Sequence, residues 1–208
     1  MTRLRWILAG WTCMSLGADG GSAQVPVDAD LPPPGFGVLN QDHISVRFTT
    51  GDLEVRFLPL DERVLRLVAK DGYESLRGLI DTRRAAIDSA ARETGITDPG
   101  LALVTFFALR SDARFDPENL NLLYRNQLER PLAMIPVTGN FTGRQLNVRT
   151  QASAIYLFEI PLPVFELFEL TYGGVQSGAW SEALRRLERA RVQVQARVQA
   201  ADSSGGKP

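Results

Sequence analysis

The chain has 208 residues and nearly balanced charge, with 23 Lys and Arg against 24 Asp and Glu. Its formal net charge of −1 offers no basic field for binding nucleic acid. The one cysteine is Cys13, so a chain that begins after residue 23 has neither disulfides nor cysteine metal sites. The length of such a chain suits one domain, alone or with helical extensions.

The N-terminal residues have the three parts of a secretory signal peptide. Arg3 and Arg5 precede the apolar residues 6–11, and a run of small residues ends at Ala23. The apolar run is shorter than the roughly 20 residues that span a bilayer. We predict that residues 1–23 are a signal peptide and that the mature protein is exported, to the periplasm or to the outside of the cell.

Lipidation at Cys13 is the alternative for this segment, because the cysteine comes just after the apolar run. Bulky Trp11 stands where a lipoprotein signal has a small residue, so the sequence favours cleavage after Ala23. No later segment predicts a transmembrane helix. Residues 153–172 come closest, but three glutamates and two prolines interrupt them.

Prolines and glycines are frequent in the next segment. Residues 24–38 contain four prolines and two glycines, a composition that suits neither a helix nor a central strand, and we predict an extended linker. At the other end of the chain, residues 202–208 are small and polar, which predicts a disordered tail.

Two short stretches alternate between apolar and polar residues on either side of a turn. The alternation runs through residues 43–49 and again through residues 53–57. Residues 50–52 include Gly51 and suit a tight turn. The pattern predicts an antiparallel hairpin near the start of a domain that covers residues 39–178.

The apolar spacing changes to a helical period in residues 61–95, which we interpret as a helical insertion. A helix is predicted over residues 71–94. Asp71 is the expected N-cap, with Glu74 completing a capping box, and Gly95 is the expected end of the helix.

The strand period returns after residue 100. Residues 101–109 are apolar on both faces, as in a central strand that is covered on both sides. Five further strand candidates follow, at residues 120–124, 132–137, 145–149, 153–160 and 165–172. Strands at this spacing favour an antiparallel sandwich or barrel.

A second long helix is predicted at the end of the chain, over residues 179–201. It carries a stripe of apolar residues that is interrupted by Arg191 and consists of Trp180, Leu184, Leu187, Val194 and Val198. The stripe has two interpretations. The helix docks its first turns on the domain, or it offers a coiled-coil seam to a partner.

Part of the chain resembles a known group of folds. The stretch of residues 113–122 places Asp116-Pro117 before a short alternating strand, residues 146–158 join one strand to an apolar one, and residues 167–172 add another. Over residues 100–174 this order resembles the immunoglobulin-like β-sandwiches of small exported bacterial proteins of unknown function.

The resemblance implies a fold class but no catalytic residues. The expected class is α+β, an antiparallel immunoglobulin-like β-sandwich with an inserted helical segment and a C-terminal helix. The chain has no Cys…Trp…Cys core, which excludes a true antibody-type domain. The predicted helix of residues 71–94 departs from the pattern and leaves the strand topology open.

His43 is the only histidine and the first candidate for chemistry. Asp42 beside it is a potential orienting group for a Ser-His-Asp triad, but the chain has no Gly-x-Ser-x-Gly elbow. A single histidine also falls short of the common zinc sites. We therefore interpret His43 as a residue at the surface or at the end of a strand.

Acidic residues are concentrated before one strand candidate and suggest a calcium site as an alternative to a turn. The oxygen-bearing side chains belong to Asp112, Asp116, Glu118, Asn119 and Asn121. The stretch lacks the glycine and the distant glutamate of an EF-hand loop. The favoured interpretation is a turn at Asp116-Pro117 whose charge Arg114 balances.

The sequence thus predicts no catalytic, cofactor-binding or metal-binding residues. It predicts one possible contact patch, formed by Leu162 and Phe165 in the apolar loop of residues 161–165, on condition that both side chains are exposed. The expected function is that of an exported, non-catalytic binding or structural module of the cell envelope. Its partner would be a protein or an envelope polymer, and the sequence leaves the oligomeric state open.

Two alternatives remain at this point. One is an exported hydrolase that uses carboxylates or His43, because acidic residues are plentiful but nothing in the sequence selects a pair. The other is a subunit of a surface assembly in which residues 24–38 add a strand to a neighbouring molecule.

Overall fold

The computed structural model describes residues 31–205. The predicted signal peptide and residues 24–30 of the predicted linker lie outside this range. The strands are β1 (Val46–Thr50), β2 (Leu53–Pro59), β3 (Gly100–Ala108), β4 (Ala113–Arg114), β5 (Asn121–Tyr124), β6 (Gln127–Glu129), β7 (Ala133–Pro136), β8 (Gln145–Leu146), β9 (Gln151–Phe158), β10 (Glu169–Tyr172) and β11 (Val175–Ser177). The helices are α1 (Glu62–Leu65), α2 (Lys70–Thr94) and α3 (Trp180–Gly205), and short 3₁₀ turns lie at Gln41–Ile44, Pro117–Asn119 and Gly139–Gly143.

The largest sheet has five strands in the order β1-β2-β3-β9-β7, and every neighbouring pair is antiparallel. The predicted hairpin is confirmed, with Val46 opposite Phe57 and Thr50 opposite Leu53. Its first strand begins at Val46 rather than at His43, because the preceding residues form the 3₁₀ turn of Gln41–Ile44.

The predicted central strand of residues 101–109 is confirmed as β3, which lies between β2 and β9. Its burial alternates, however. Ala102, Val104 and Phe106 are fully buried, whereas the residues between them are only partly covered. The sheet therefore has one face inside the main core and one face with a less complete cover.

A second sheet has four strands in the order β11-β10-β5-β6, and β4 and β8 form a small third sheet. Two predicted strands are shorter than expected. The strand predicted at residues 145–149 is reduced to β8, and the one predicted at residues 165–172 begins only at Glu169. An α+β fold made mostly of antiparallel sheets is thus confirmed.

Aromatic side chains fill the space between the five-stranded sheet and the elements that face it. The ring of Phe106 in β3 lies 4.7 Å from that of Phe115 and 5.4 Å from that of Tyr172 in β10. Phe57 in β2 meets Phe168 edge-on at 6.1 Å. Aromatic pairs at these separations stabilise a core beyond the area that they bury.

Tyr156 shows how this layer accommodates a polar group. Its side chain is fully buried in β9, and its hydroxyl donates to the carbonyl oxygen of Pro117 at 2.9 Å. Burial raises the pKa of Tyr156 far above its ordinary value, so the hydroxyl remains a donor. The bond ties the 3₁₀ turn of Pro117–Asn119 to the five-stranded sheet.

Helix α2 confirms the predicted helix of residues 71–94 and starts one residue earlier. The predicted capping box is wrong. The N-cap is Ala69, which makes no side-chain cap, and Asp71 lies inside the first turn, where its charge complements the helix dipole. Gly95 ends the helix as predicted, at a φ of 75° that favours glycine. The helix packs along β7.

The end of the predicted linker belongs to the fold. Phe36 and Val38 pack against the hydrophobic core. The backbone N–H groups of Val38 and Leu39 donate to the carbonyl of Leu67, at 2.9 and 3.0 Å, and Leu39 pairs in parallel with Val68. Prolines do not prevent this pairing because they end before residue 36. The domain therefore begins before residue 39.

Helix α3 confirms the predicted C-terminal helix and extends it. Trp180, Leu187 and Val194 are all fully buried, and Val194 lies about four turns into the helix. The helix continues to Gly205, so the predicted disordered tail is wrong for residues 202–205, while residues 206–208 lie outside the described range. Among the described helices, none is both long enough and apolar enough to cross a membrane.

We predict that Gly37→Ala destabilises the protein by about 2 kcal/mol or more, because overpacking against rigid backbone leaves no room to relax. A β-carbon at this position would lie 2.1 Å from the carbonyl oxygen of Val68. Urea unfolding of the purified protein measures the change. Gly78→Ala is the matched control: it lies on the exposed side of α2 with nothing near the new carbon and should stabilise by up to about 1 kcal/mol. Equal stability of the two variants would contradict the packing of residues 36–39 against Leu67 and Val68.

Candidate functional site

His43 serves as a capping residue in the 3₁₀ turn of Gln41–Ile44. Its backbone N–H donates to the Asn40 Oδ1 at 2.9 Å, and its Nδ1 accepts from the Asn40 N–H at 3.4 Å. The carboxylate of Asp42 is engaged by Arg47 and Arg56, at 2.5 and 2.8 Å, and does not orient the imidazole. The side chain of His43 is exposed, in line with its interpretation as a surface residue.

The acidic cluster before β5 forms a capped turn, as the sequence favoured. The Asp116 carboxylate accepts from the Glu118 backbone N–H at 3.2 Å and from the Asn119 side chain at 3.0 Å. Arg144, and not Arg114 as predicted, supplies the balancing charge, at 2.8 Å from Glu118 and 3.7 Å from Asp116. Within residues 31–205 no group of three acidic or histidine side chains is arranged to hold a metal ion.

The predicted contact patch fails at Leu162. This side chain is only 1% exposed, so it offers no surface to a partner. The loop packs down on Gly100, where a β-carbon would lie 2.2 Å from the Ile160 carbonyl oxygen and 3.2 Å from the Leu162 side chain. Because Gly100 has no side chain, Leu162 has room to lie buried against it.

Phe165, the other residue of the predicted patch, is half-buried between two arginines. The guanidinium carbon of Arg191 lies 5.4 Å from the ring centroid, and that of Arg63 lies 6.0 Å away. Arg63 is held by two hydrogen bonds to Asp61, which raise its pKa, and it also donates to the Leu162 carbonyl at 3.0 Å. The ring is thus in place but largely covered.

The exposed apolar residue of this region is Leu167, which is 66% accessible to solvent. An ordered polar pair lies beside it. Tyr124 and Arg125 both donate to the Glu166 Oε2, at 2.7 and 2.8 Å, and the Arg125 guanidinium carbon lies 4.8 Å from the Tyr124 ring centroid. We call these five residues, Phe165, Glu166, Leu167, Tyr124 and Arg125, the 165–167 surface.

Hydrogen bonds fix the ionisation of this surface. Those from Tyr124 and Arg125 lower the pKa of Glu166, so its carboxylate is charged over the neutral pH range. The bond to Glu166 raises the pKa of Tyr124, which keeps its hydroxyl protonated. The Arg125 and Glu166 side chains are largely exposed, at 71% and 51%, so their ion pair adds little to folding, and its effect is to orient Tyr124 and Arg125.

The turn between β5 and β6 places Arg125. Arg125 and Asn126 both have positive φ values, 50° and 62°, as in the tight turns that suit the twist of a two-stranded hairpin. The next strand adds Leu128, which is 48% exposed and lies opposite Leu123. The edge strand of the four-stranded sheet thus carries an exposed apolar side chain.

Residue types of this kind are typical of protein interfaces. Tyrosine and arginine contribute strongly to binding energy, and exposed leucine adds apolar area at the margin. The sequence prediction named Leu162, which is buried, and missed Leu167, which fell within a predicted strand that begins only at Glu169. The run Phe-Glu-Leu-Phe at residues 165–168 gives no signal of which apolar side chain points outward.

Comparison of the chain with protein-family models, with curated proteins and with solved structures gave no match. The functional interpretation of the 165–167 surface therefore depends on its geometry.

We predict that Asp116→Ala lowers the free energy of unfolding by about 1 kcal/mol, the usual contribution of a capping side chain. The variant removes the acceptor of two hydrogen bonds in the turn. Glu93→Ala in α2, which removes one exposed hydrogen bond from the Ser89 hydroxyl at an ordinary helical position, should cost less. Calcium should leave the thermal midpoint of the natural protein unchanged, and a rise that Asp116→Ala abolishes would show that the turn is a metal site.

Proposed function

We propose that this protein is an exported, non-catalytic binding module of the cell envelope that docks a partner protein through the 165–167 surface. The observation that carries the proposal is the exposure of Leu167, 66%, directly beside the ordered Tyr124–Arg125–Glu166 cluster. The partner chemistry that fits is a segment with an apolar side chain next to a carboxylate.

The charges of the region support an acidic partner segment. Arg125 and Arg63 are neutralised by Glu166 and Asp61, but within the described residues Arg191 forms no salt bridge, and its guanidinium lies over the Phe165 ring. A carboxylate of the partner would pair with Arg191 while an apolar group covers Leu167. Charge complementarity of this kind contributes mainly to specificity and to the rate of association.

The surface is also preorganised, which reduces the entropy that binding must remove. Tyr124 and Arg125 are held by hydrogen bonds to one carboxylate oxygen and by a tight turn of defined backbone conformation. Side chains that are already ordered lose less rotamer freedom on docking. A rigid tyrosine beside an arginine is the kind of anchor that dominates binding energy in many interfaces.

We infer further that the five-stranded and four-stranded sheets form a β-sandwich of the immunoglobulin-like type, with α2 as an added element. The contact from Phe106 to Tyr172 supports this arrangement, because it joins the two sheets across one apolar layer, and Phe57 meets Phe168 just before β10. In such a domain the loops carry the binding surface and the sheets hold them in position.

A non-catalytic role is supported by the state of the ionisable clusters. His43 closes a turn, Asp42 is engaged by two arginines, and Asp116 and Glu118 are engaged by Arg144. Each of these groups therefore has a structural task that explains its position.

Export predicts a defined N-terminus. The protein recovered from the envelope or the medium of its own cells should begin at Gln24, with its signal peptide removed after Ala23. Intact-mass analysis of the purified protein measures this directly. Recovery of the full chain from the cytosol would contradict export, and a mass increase from a lipid on an N-terminal Cys13 would show lipidation instead.

Docking through the 165–167 surface predicts position-specific cross-linking in living cells. A photo-crosslinking amino acid at residue 167 should give a discrete adduct with an envelope protein. The matched control is residue 148, because Val148 is also exposed, at 46%. Residue 148 precedes β9 and residue 167 follows it, so the two positions are separated by the length of that strand. Adding Arg191→Glu should reduce the adduct at residue 167 several-fold, because it would repel a carboxylate of the partner.

Comparison of the adducts at residues 167 and 148 distinguishes a defined docking surface from non-specific contact. The same adducts at residues 167 and 148 would indicate non-specific collision and contradict a defined surface. Absence of any adduct at residue 167, with the protein folded and correctly exported, would also contradict the proposal. An adduct that Arg191→Glu leaves unchanged would contradict the acidic character of the partner segment.

A further inference from the structure

A cavity of about 440 Å³ lies between the β1–β2 hairpin and the start of α2. It is distinct in its residues from the 165–167 surface. Its polar lining comes from Arg56, Asp42, Asn40 and Gln41, and small residues such as Ala69 and Gly72 leave room on the side of the helix. A cavity of this volume falls in the range of sites for small molecules.

Arg56 lines this cavity, and a second arginine, Arg47, contacts the same lining residue, Asp42. Arg47 and Arg56 are directly opposite in the register of β1 and β2, so their side chains leave the hairpin on the same face. Like charges in this position repel each other. Both guanidinium groups converge on one oxygen, the Asp42 Oδ1, at 2.5 and 2.8 Å. One carboxylate thus compensates two cations.

Compensation of Arg56 is incomplete. Its Nε and Nη2 atoms are buried, yet within the described residues neither has an acceptor in hydrogen-bonding geometry. The contact to Asp42 at 2.8 Å is close enough for an ion pair, but the N–H bonds do not point along it. Burial lowers the pKa of Arg56, Asp42 opposes this effect and Arg47 adds to it. A buried donor without an acceptor is an unfavourable arrangement that an added acceptor relieves.

We propose that the cavity binds a small ligand through a compact oxyanion, a carboxylate or a phosphate, held by Arg56 with Arg47 beside it. Guanidinium groups recognise both anions by paired N–H donors. Asp42 competes for the same arginines, so the ligand displaces a carboxylate that the chain itself supplies. This site is independent of the proposed docking surface.

The remaining side chains set the size and charge of the ligand. Asp42 and Asp71 both line the cavity and repel anions, so a ligand with several anionic groups is a poor candidate, and a single compact anion that displaces Asp42 from Arg56 fits best. Asn40 and Gln41 add amide groups to the lining, and Val38, Leu39 and Val68 add apolar area. The lining therefore suits one anionic group on a small, partly apolar body.

Isothermal titration of the intact exported protein with inorganic phosphate and, separately, with butyrate, which has one carboxylate on an apolar chain, tests this site at a fixed ionic strength. The natural protein should show saturable binding of at least one probe. Arg56→Gln should weaken binding about tenfold or more, as expected for loss of a hydrogen bond between charged groups. Asp42→Asn should tighten binding several-fold, because the competing charge is removed. The two probes identify which oxyanion the site prefers.

The matched control is Arg110→Gln. Arg110 is also an arginine paired with an aspartate, 3.4 Å from Asp52, but its side chain is 80% exposed and lies outside the cavity. It should leave binding unchanged. If Arg56→Gln fails to fold by circular dichroism, Arg47→Gln takes its place and should weaken binding in the same direction.

Two results would overturn the inference. Equal binding to the natural protein, Arg56→Gln and Arg110→Gln would identify an adventitious ion only. Absence of saturable binding of either probe to Asp42→Asn would show that the arginines bind no external anion even when their internal partner is neutral. Neither result would affect the cross-linking expected at residue 167.

Discussion

The stack of Phe168 on Trp180 is the contact on which the position of the candidate surface depends. The two rings lie 4.6 Å apart, and the Trp180 Nε1 donates to the Glu166 carbonyl at 3.1 Å. Phe168 in turn meets Phe57 of the five-stranded sheet. One fully buried indole thus joins α3, the loop before β10 and the main sheet. Removing such a side chain typically costs about 3–5 kcal/mol.

This arrangement explains how a mostly apolar loop presents a defined surface. Leu162 is buried against Gly100, and Phe168 is buried against Trp180. Residues 165–167 lie between these two buried positions. The residues between these two anchors cannot all be buried, and Leu167 is left outside. Glu166 then orients Tyr124 and Arg125 across the neighbouring hairpin. The exposed leucine is therefore a consequence of rigid packing around it, and the docking that we propose would involve groups that are already in place.

The sequence predicted the elements better than their partners. Strict alternation identified the β1–β2 hairpin, and an unbroken helical period ending in glycine identified α2, because both signals are local. Strand order, the packing of residues 36–39 against Leu67 and the pairing of Glu118 with Arg144 join positions far apart in the chain, which periodicity does not record. The contact patch was misassigned for the same reason, since the burial of Leu162 depends on a glycine about sixty residues earlier.

The fluorescence of Trp180 tests the central contact most directly, because a chain that begins at Gln24 contains no other tryptophan. We predict a blue-shifted emission that acrylamide quenches slowly, because the indole is buried. In Phe168→Ala the emission should shift to the red and be quenched faster. Replacing Phe141, which lies in the same aromatic layer but does not contact the indole, should leave the emission position unchanged. A red-shifted, readily quenched emission from the natural protein would show that the indole is exposed and would contradict its burial against Phe168.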